Sequence, residues 1–171
     1  HELGHAYHGM MIEDQQPLNR EYCMPLAETA STFNENIMYN ALINDADPKN
    51  KLFLMDTQLA ALCQNICDIY TRFTFEKSIF DNCESRFMFA TDLEELMLDA
   101  EKKCFGNGMD HDWLHPFRWI TKVHYYIPDI AYYNFPYTFG ALFSRGLYAM
   151  YEKEGKDFLP KYRALLKAST T

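Results

Sequence analysis

The chain opens with His1-Glu2-Leu3-Gly4-His5, which matches the metal-binding motif HExxH. Residues four apart in an α-helix lie one above the other on the same face. His1 and His5 can therefore offer imidazole nitrogens to one metal ion, with the Glu2 carboxylate beside the ion's open position. A hydrolytic zinc site needs two neutral nitrogens, a third protein ligand and a water. The motif predicts a helix here and favours Zn²⁺ as the cofactor.

The third ligand must come from outside the motif, and its position separates the known kinds of HExxH site. A metzincin-type site would need glycine at position 8 and histidine at position 11, where this chain has His8 and Met11. A di-iron site would need a second Glu-x-x-His unit, and the sequence contains that pattern only at Glu2 to His5. Both kinds are excluded, which leaves a glutamate from a following helix.

Three glutamates lie at a suitable distance along the chain, namely Glu21, Glu28 and Glu35. Small residues surround Glu28, so two helices can approach closely there. Glu28 and Glu35 are seven apart and share a helix face. We therefore predict that Glu28 is the third zinc ligand and that Glu35 orients an imidazole from outside the ligand set. The alternative role for Glu35 is a structural ion pair.

Apolar residues recur with spacings of three and four along most of the chain, which predicts an all-α fold. The first helix should end before Pro17, because a residue that precedes proline avoids the helical region. Thr91, with Glu94 three residues later, is typical of a helix N-cap. Residues 109–136 are rich in aromatics, histidines and prolines, so we expect ordered loop and short strand there. The predicted helices cover residues 1–14, 26–45, 52–73 (extending towards 80), 91–104, 137–154 and 158–168.

Composition excludes several classes of protein. With 171 residues, 48% of them hydrophobic, the chain suits a single helical domain over residues 1–171. A net charge of -8 argues against a nucleic-acid surface, and the lack of an 18-residue apolar run argues against a membrane span. The five cysteines form no CxxC pair, which indicates reduced thiols and favours a cytoplasmic location. A metal ligand at residue 1 predicts that this domain is the C-terminal part of a longer chain, since the first turn of a helix frays.

Three segments together resemble zinc peptidases of the oligoendopeptidase F type, in the thimet oligopeptidase family. They are HELGHAYHG at 1–9, PLAETASTFNE at 25–35 and HYYIPDIAYYNFPYTFGALFSRGLYA at 124–149. The resemblance is to the C-terminal part of the catalytic region. It implies that His1, His5 and Glu28 bind zinc, that Glu2 is the general base, and that an N-terminal helical part of the same chain completes the substrate cleft.

The resemblance also implies roles for residues of the third of these segments, 124–149. In that family a tyrosine just ahead of a helix and a histidine on the preceding loop contact the substrate, and by motif position these are Tyr137 and His124. We predict that both are catalytic and that the Tyr137 hydroxyl stabilises the developing oxyanion. Tyr133 and Tyr126 are predicted to bind substrate. The alternative for each tyrosine is packing with a satisfied hydroxyl.

The predicted function is a zinc endopeptidase that hydrolyses internal bonds of oligopeptides through a zinc-activated water. The size of the substrate follows only from the resemblance. One alternative is a non-catalytic helical fragment that binds metal but lacks a substrate cleft. Another is a zinc carboxypeptidase or dipeptidase, which needs a group that captures a free terminus. Arg118 and Arg145 are available for that purpose, but neither lies in a recognisable motif.

The remaining histidines are not assigned to the site. His8 lies seven residues from His1 on the same helix, and we expect it to be partly buried. His111 and His115 lie in an irregular acidic stretch, where we expect surface or loop positions.

Overall fold

The computed structural model describes residues 1–170 of the chain. Their secondary structure is helical, and an isolated β-bridge joins Tyr22 to Thr170. The predicted all-α fold is therefore confirmed. The α-helices are α1 (Glu2–Ile12), α2 (Met24–Ala27), α3 (Thr29–Asp45), α4 (Pro48–Cys63), α5 (Ile69–Cys83), α6 (Ala90–Phe105), α7 (Phe135–Glu154) and α8 (Phe158–Lys167).

Residues 109–136, which we call the aromatic segment, form no strand in the described chain, so the prediction of a short strand there is wrong. Before α7 begins, the segment consists of loop and of 3₁₀ turns, whose hydrogen bonds are local; one example is the Tyr125 N–H, which donates to the Lys122 carbonyl at 3.1 Å. Pro116 and Pro128 lack the N–H that a strand would contribute to a ladder. Local turns are the consequence.

The helix predicted after Pro25 is divided at Glu28, which ends α2 and precedes α3. Glu28 has φ −87° and ψ 1°, in the bridge region between helix and strand. The hydroxyls of Ser31 and Thr32 lie 3.0 and 2.5 Å from its carbonyl oxygen. Such side-chain bonds compete with regular helical bonding and bend the chain locally. The sequence pattern did not predict this break.

The start of α6 corrects the prediction of Thr91 as its N-cap. The helix begins at Ala90, and the cap residue is Phe89. The carboxylate of Asp92 accepts the Phe89 N–H at 2.7 Å. A carboxylate satisfies an orphan donor here and also interacts favourably with the helix dipole, so it is the better cap. The helix ends where Gly106 adopts a positive φ of 52°, which glycine tolerates.

The described residues form two compact units. The first comprises His1–Ala61 and the residues from Pro136 onward. Its core joins α3, α7 and α8, with the rings of Phe33 and Tyr162 4.3 Å apart, and α1 packs against α3 and α8. This packing fixes α1 beside α3, where the metal ligands were predicted. The prediction of one domain stays a prediction.

The second unit comprises Leu62–Phe135. Helices α5 and α6 pack through Phe75, Met97 and Ala100, and Trp119 and Tyr125 of the aromatic segment pack against that cluster. The aromatic segment is thus ordered by side-chain packing. In the part of the chain that the structure describes, no helix has both the length and the apolar character that crossing a membrane requires.

Candidate metal centre

Helix α1 reaches α3 closely because of Gly4, inside the HExxH motif. A Cβ added to Gly4 would lie 2.5 Å from the Ala30 carbonyl oxygen and 2.7 Å from the Ser31 nitrogen, with the Ser31 Cα nearer still. Real Cβ atoms do not approach backbone atoms so closely. Any larger residue would therefore separate the two helices. Glycine lets the backbone of the motif lie directly on the start of α3, next to Glu28.

The ligand atoms of His1, His5 and Glu28 converge at this contact. Glu28 Oε2 lies 3.2 Å from His1 Nε2 and 3.5 Å from His5 Nε2, and the two nitrogens are 3.3 Å apart. When nitrogen and oxygen ligands surround a zinc ion tetrahedrally at the usual bond lengths, the ligand atoms lie about 3.3–3.4 Å from one another. In residues 1–170, these three form the group of His, Cys, Asp or Glu residues that is able to hold a metal ion.

The hydrogen-bonding of His1 supports a cation at this point. Its Nδ1 lies 2.8 Å from Glu35 Oε1, and because a carboxylate only accepts, Nδ1 carries the hydrogen. The Nε2 of a neutral His1 then presents a lone pair to a carboxylate oxygen of Glu28. Two lone pairs in contact repel unless a proton or a cation lies between them. A divalent ion removes this repulsion, so the donor set fits the predicted zinc.

The protein holds the Glu28 carboxylate from one side and leaves the centre open on the other. Ser31 Oγ donates to Glu28 Oε2 at 2.9 Å. The Glu28 side chain is 15% exposed, against 37% for His1 and 30% for His5. Glu2 lies in the first turn of α1 with its side chain exposed. A water and a substrate can therefore reach the ligand atoms and Glu2 from solvent.

Two residues that contact Glu28 were not predicted from the sequence. Ser31 lies three residues after Glu28, one helical turn away, a spacing that could have identified it. Gly140 contacts Glu28 from α7, and no local pattern indicates a partner so distant in sequence. Tyr137 also lies in α7, three residues before Gly140, and its side chain is half-buried.

The family model described as Peptidase family M3 matches residues 1–167. The chain belongs to this family. The predicted resemblance is therefore confirmed at the level of the family. The M3 chain is 28% identical to oligopeptidase PepF of Bacillus subtilis (strain 168), covering 100% of this chain and 26% of that protein.

Two other M3 relatives give similar values. Group B oligopeptidase PepB of Streptococcus agalactiae is 28% identical, and the chromosomal oligoendopeptidase F of Lactococcus lactis subsp. cremoris is 27% identical. Each alignment covers 82% of this chain and 23% of the relative. The chain thus spans about a quarter of the length of the curated relatives that it matches. No solved structure matches it.

Three residues predicted to contact substrate lie in the second unit of the M3 chain. His124 and Tyr133 stack, with ring centroids 4.8 Å apart and planes 20° from parallel. Burial lowers the pKa of His124, and the charges of Arg72 and Lys122 lower it further, so the ring is neutral at pH 7. Tyr126 is 57% exposed. The structure therefore brings two of these three side chains together.

Helix α5 holds the backbone on both sides of Tyr133. Arg72 Nη1 donates to Asn134 Oδ1 at 3.0 Å, and Glu76 Oε1 accepts the Tyr132 N–H at 2.8 Å. Tyr132 has φ 57°, which non-glycine residues rarely adopt. The two α5 residues are four apart and so lie on one face of the helix. We call this arrangement the α5 clamp; sequence analysis did not identify it.

Arg118 is engaged within the second unit. Its guanidinium lies 2.5 Å from Asp68 Oδ1 and 3.0 Å from Glu101 Oε1. Both carboxylates are nearly inaccessible to solvent, at 6% and 1% exposure. Two carboxylates already neutralise this arginine, which leaves it a poor group for capturing a free carboxyl terminus.

The histidines outside the motif take structural or surface positions. His8 is fully buried, which corrects the expectation of partial burial. Ser169 Oγ donates to the Leu166 carbonyl at 2.6 Å, so His8 Nε2 must donate to Ser169 Oγ, 2.7 Å away. His8 therefore links α1 to the end of α8. His111 and His115 lie exposed in the loop, as predicted.

Proposed function

We propose that this M3-family chain carries the catalytic centre of a zinc metallopeptidase that hydrolyses internal bonds of oligopeptides. The observation that supports it most directly is the triangle of ligand atoms from His1, His5 and Glu28, with edges of 3.2, 3.3 and 3.5 Å. These separations match what a tetrahedral zinc ion requires. The activity belongs to the proposal, because the chain spans about a quarter of its relatives' length.

In this mechanism His1, His5 and Glu28 would hold the ion, and Glu35 keeps His1 in the tautomer whose Nε2 is free to bind it. When bound, zinc lowers the pKa of a water towards ~7 and polarises the peptide carbonyl. Glu2 accepts a proton from the water as the water oxygen bonds to the peptide carbonyl carbon, and it donates that proton to the amine nitrogen as the C–N bond breaks. The hydroxyl of Tyr137 donates a hydrogen bond to the carbonyl oxygen as negative charge develops there.

The substrate class rests on the relatives and on Arg118. The similar proteins are named oligopeptidases and oligoendopeptidases. In this chain Arg118 already pairs with Asp68 and Glu101, which favours cleavage of internal bonds over capture of a terminus. We propose Tyr133 and Tyr126 as substrate-binding residues, and His124 and Tyr137, in addition to Glu2, as catalytic residues. The free cysteines support our proposal of a cytoplasmic location.

A Glu2→Gln variant tests the proposed function. Glutamine cannot accept the water proton, so cleavage of a quenched oligopeptide with blocked ends should fall by about 10²–10⁴-fold. The zinc content, measured by atomic absorption, should remain that of the unsubstituted protein. Glu21→Gln is the matched control, because Glu21 is an exposed glutamate outside the ligand group, and it should change neither quantity.

Three results would contradict the proposal. Full cleavage by Glu2→Gln would exclude Glu2 as general base. If the unsubstituted protein cut only substrates with free ends, it would be a carboxypeptidase or dipeptidase. If it bound zinc and cut neither kind of substrate, it would be a non-catalytic metal-binding fragment.

A further inference from the structure

Helix α7 lies directly against the base of the Glu28 side chain. A Cβ added to Gly140 would lie 2.7 Å from Glu28 Cβ, 3.0 Å from its carbonyl carbon and 3.1 Å from its carbonyl oxygen. These atoms belong to the backbone and to the root of the side chain, so they cannot rotate away as a side-chain end can. Only glycine at position 140 allows α7 to come this close to Glu28.

Buried polar contacts join the two helices at the same level. Thr32 Oγ1 lies 2.5 Å from the Glu28 carbonyl oxygen and 3.1 Å from that of Gly140. One turn further along α3, Asn36 Nδ2 donates to Ser144 Oγ at 3.1 Å. Because these contacts are buried, a displacement of α7 away from α3 would leave polar groups unpaired, which opposes such a displacement. Glu28 therefore has a fixed position relative to α7.

Ser31 holds the other end of the same side chain. Its hydroxyl lies 2.9 Å from Glu28 Oε2 and 3.0 Å from the Glu28 carbonyl oxygen, and Ser31 is fully buried. Oε2 is also the carboxylate atom that faces His1 and His5. Ser31 thus constrains the one oxygen that would bind the ion.

We infer that Gly140 and Ser31 are positioning residues for the Glu28 carboxylate, Gly140 at its base and Ser31 at its end. This inference rests on the proposed function, in which Glu28 is a zinc ligand. Tyr137 lies three residues before Gly140 on α7. The contact at Gly140 therefore also sets the position of the proposed oxyanion donor relative to the metal ligand. One glycine couples two parts of the proposed site.

The test compares two glycines of α7 in the full chain. Zinc affinity is measured by competition with a chromogenic chelator, and the visible absorption of the Co²⁺-substituted protein reports ligand geometry. Gly140→Ala should weaken zinc binding by about 10- to 100-fold, as displaced outer groups of metal sites do, and should change the Co²⁺ spectrum. Gly146→Ala should leave both unchanged, because its Cβ would meet nothing within 4 Å.

Ser31→Ala keeps the experiment decisive if Gly140→Ala does not fold. It removes one hydroxyl without adding volume, and it should also weaken zinc binding by about tenfold or more. The inference would be wrong if every folded variant of Gly140 and Ser31 kept the zinc affinity and Co²⁺ spectrum of the unsubstituted protein while Glu28→Gln lost zinc. That result would leave the proposed function standing. Absence of zinc binding by the unsubstituted protein, or undiminished binding by Glu28→Gln, would overturn the proposed function and the inference together.

Discussion

His8 lies three residues after His5 on α1 and has no accessible surface. Burial lowers the pKa of His8, and an interaction with the Leu166 backbone opposes this only in part. The unfolded chain has no such burial, so its His8 titrates near 6.5. The folded state therefore binds this proton less well than the unfolded state does.

The stability of the chain should consequently fall as the pH drops below about 6.5. Below that pH the unfolded state takes up a proton that folded His8 does not. For one proton, the free energy of unfolding cannot change by more than about 1.4 kcal/mol per pH unit. Urea unfolding at several pH values measures this pH dependence. His8→Gln should flatten this dependence, since glutamine can still donate to Ser169, while His111→Gln, an exposed control, should not. Equal pH slopes in all three proteins would exclude His8 as the cause.

The residues of the metal centre differ in how far sequence could reveal them. His1 and His5 were predictable because their spacing is local and determines their common helix face. Glu28 required a choice among three glutamates, made from its small neighbours and its spacing to Glu35. The break at Glu28 was not predicted, because the spacing of apolar residues does not report the bonds from the Ser31 and Thr32 hydroxyls to the Glu28 carbonyl.

At the scale of helices, the packing of α1 on α3 depends on Gly4. Gly4→Ala should destabilise the protein by about 1–3 kcal/mol or more, because the new methyl group would overlap the backbone of Ala30 and Ser31. Gly9→Ala is the matched control on the same helix, since its Cβ would meet nothing within 4 Å. Alanine at position 9 should raise the free energy of unfolding by about 0.5–1 kcal/mol, because alanine has a higher helix propensity than glycine. Chemical denaturation measures both changes, and an equally stable Gly4→Ala would contradict the close approach.

The α5 clamp predicts different effects for two substitutions of Glu76. Burial raises the pKa of Glu76, so its charge is not what stabilises this position. Glu76→Gln keeps an oxygen that accepts the Tyr132 N–H, and should lower the free energy of unfolding much less than Glu76→Ala does. Glu76→Ala leaves that N–H unpaired and should cost about 1–3 kcal/mol. Hydrogen exchange at the Tyr132 amide should quicken in Glu76→Ala alone; equal exchange in both variants would contradict the clamp.

The clamp also explains why sequence indicated the helices but not the aromatic segment. Helical spacing in α3, α7 and α8 repeats over many residues, so the pattern predicted those helices well. Residues 109–136 have no period, and their conformation is set by single contacts from α5 and α6, such as Glu76 with Tyr132 and Glu101 with Arg118. Contacts of this kind depend on tertiary structure, so the segment's turns could not be predicted from sequence.

At the scale of the whole molecule, the proposed ligands come from two helices of one unit. His1 immediately precedes α1, His5 lies in its first turn, and Glu28 immediately precedes α3, so an ion that binds all three binds only the folded arrangement. A ligand specific for the folded state stabilises it by RT ln(1 + c/Kd), where c is the free ligand concentration, which is about 2.7 kcal/mol when c is 100 times Kd. Removal of zinc with a chelator should therefore lower the midpoint temperature of thermal unfolding, measured by the circular dichroism of the α-helices.

The size of that shift depends on Glu28. In Glu28→Gln the weakened zinc affinity should make the midpoint nearly the same with and without the chelator, because little ion is bound to either sample. Glu21→Gln should show the full shift of the unsubstituted protein, since Glu21 lies outside the ligand group. A midpoint that falls equally with chelator in Glu28→Gln and Glu21→Gln would mean that the stabilising ion binds elsewhere in the molecule.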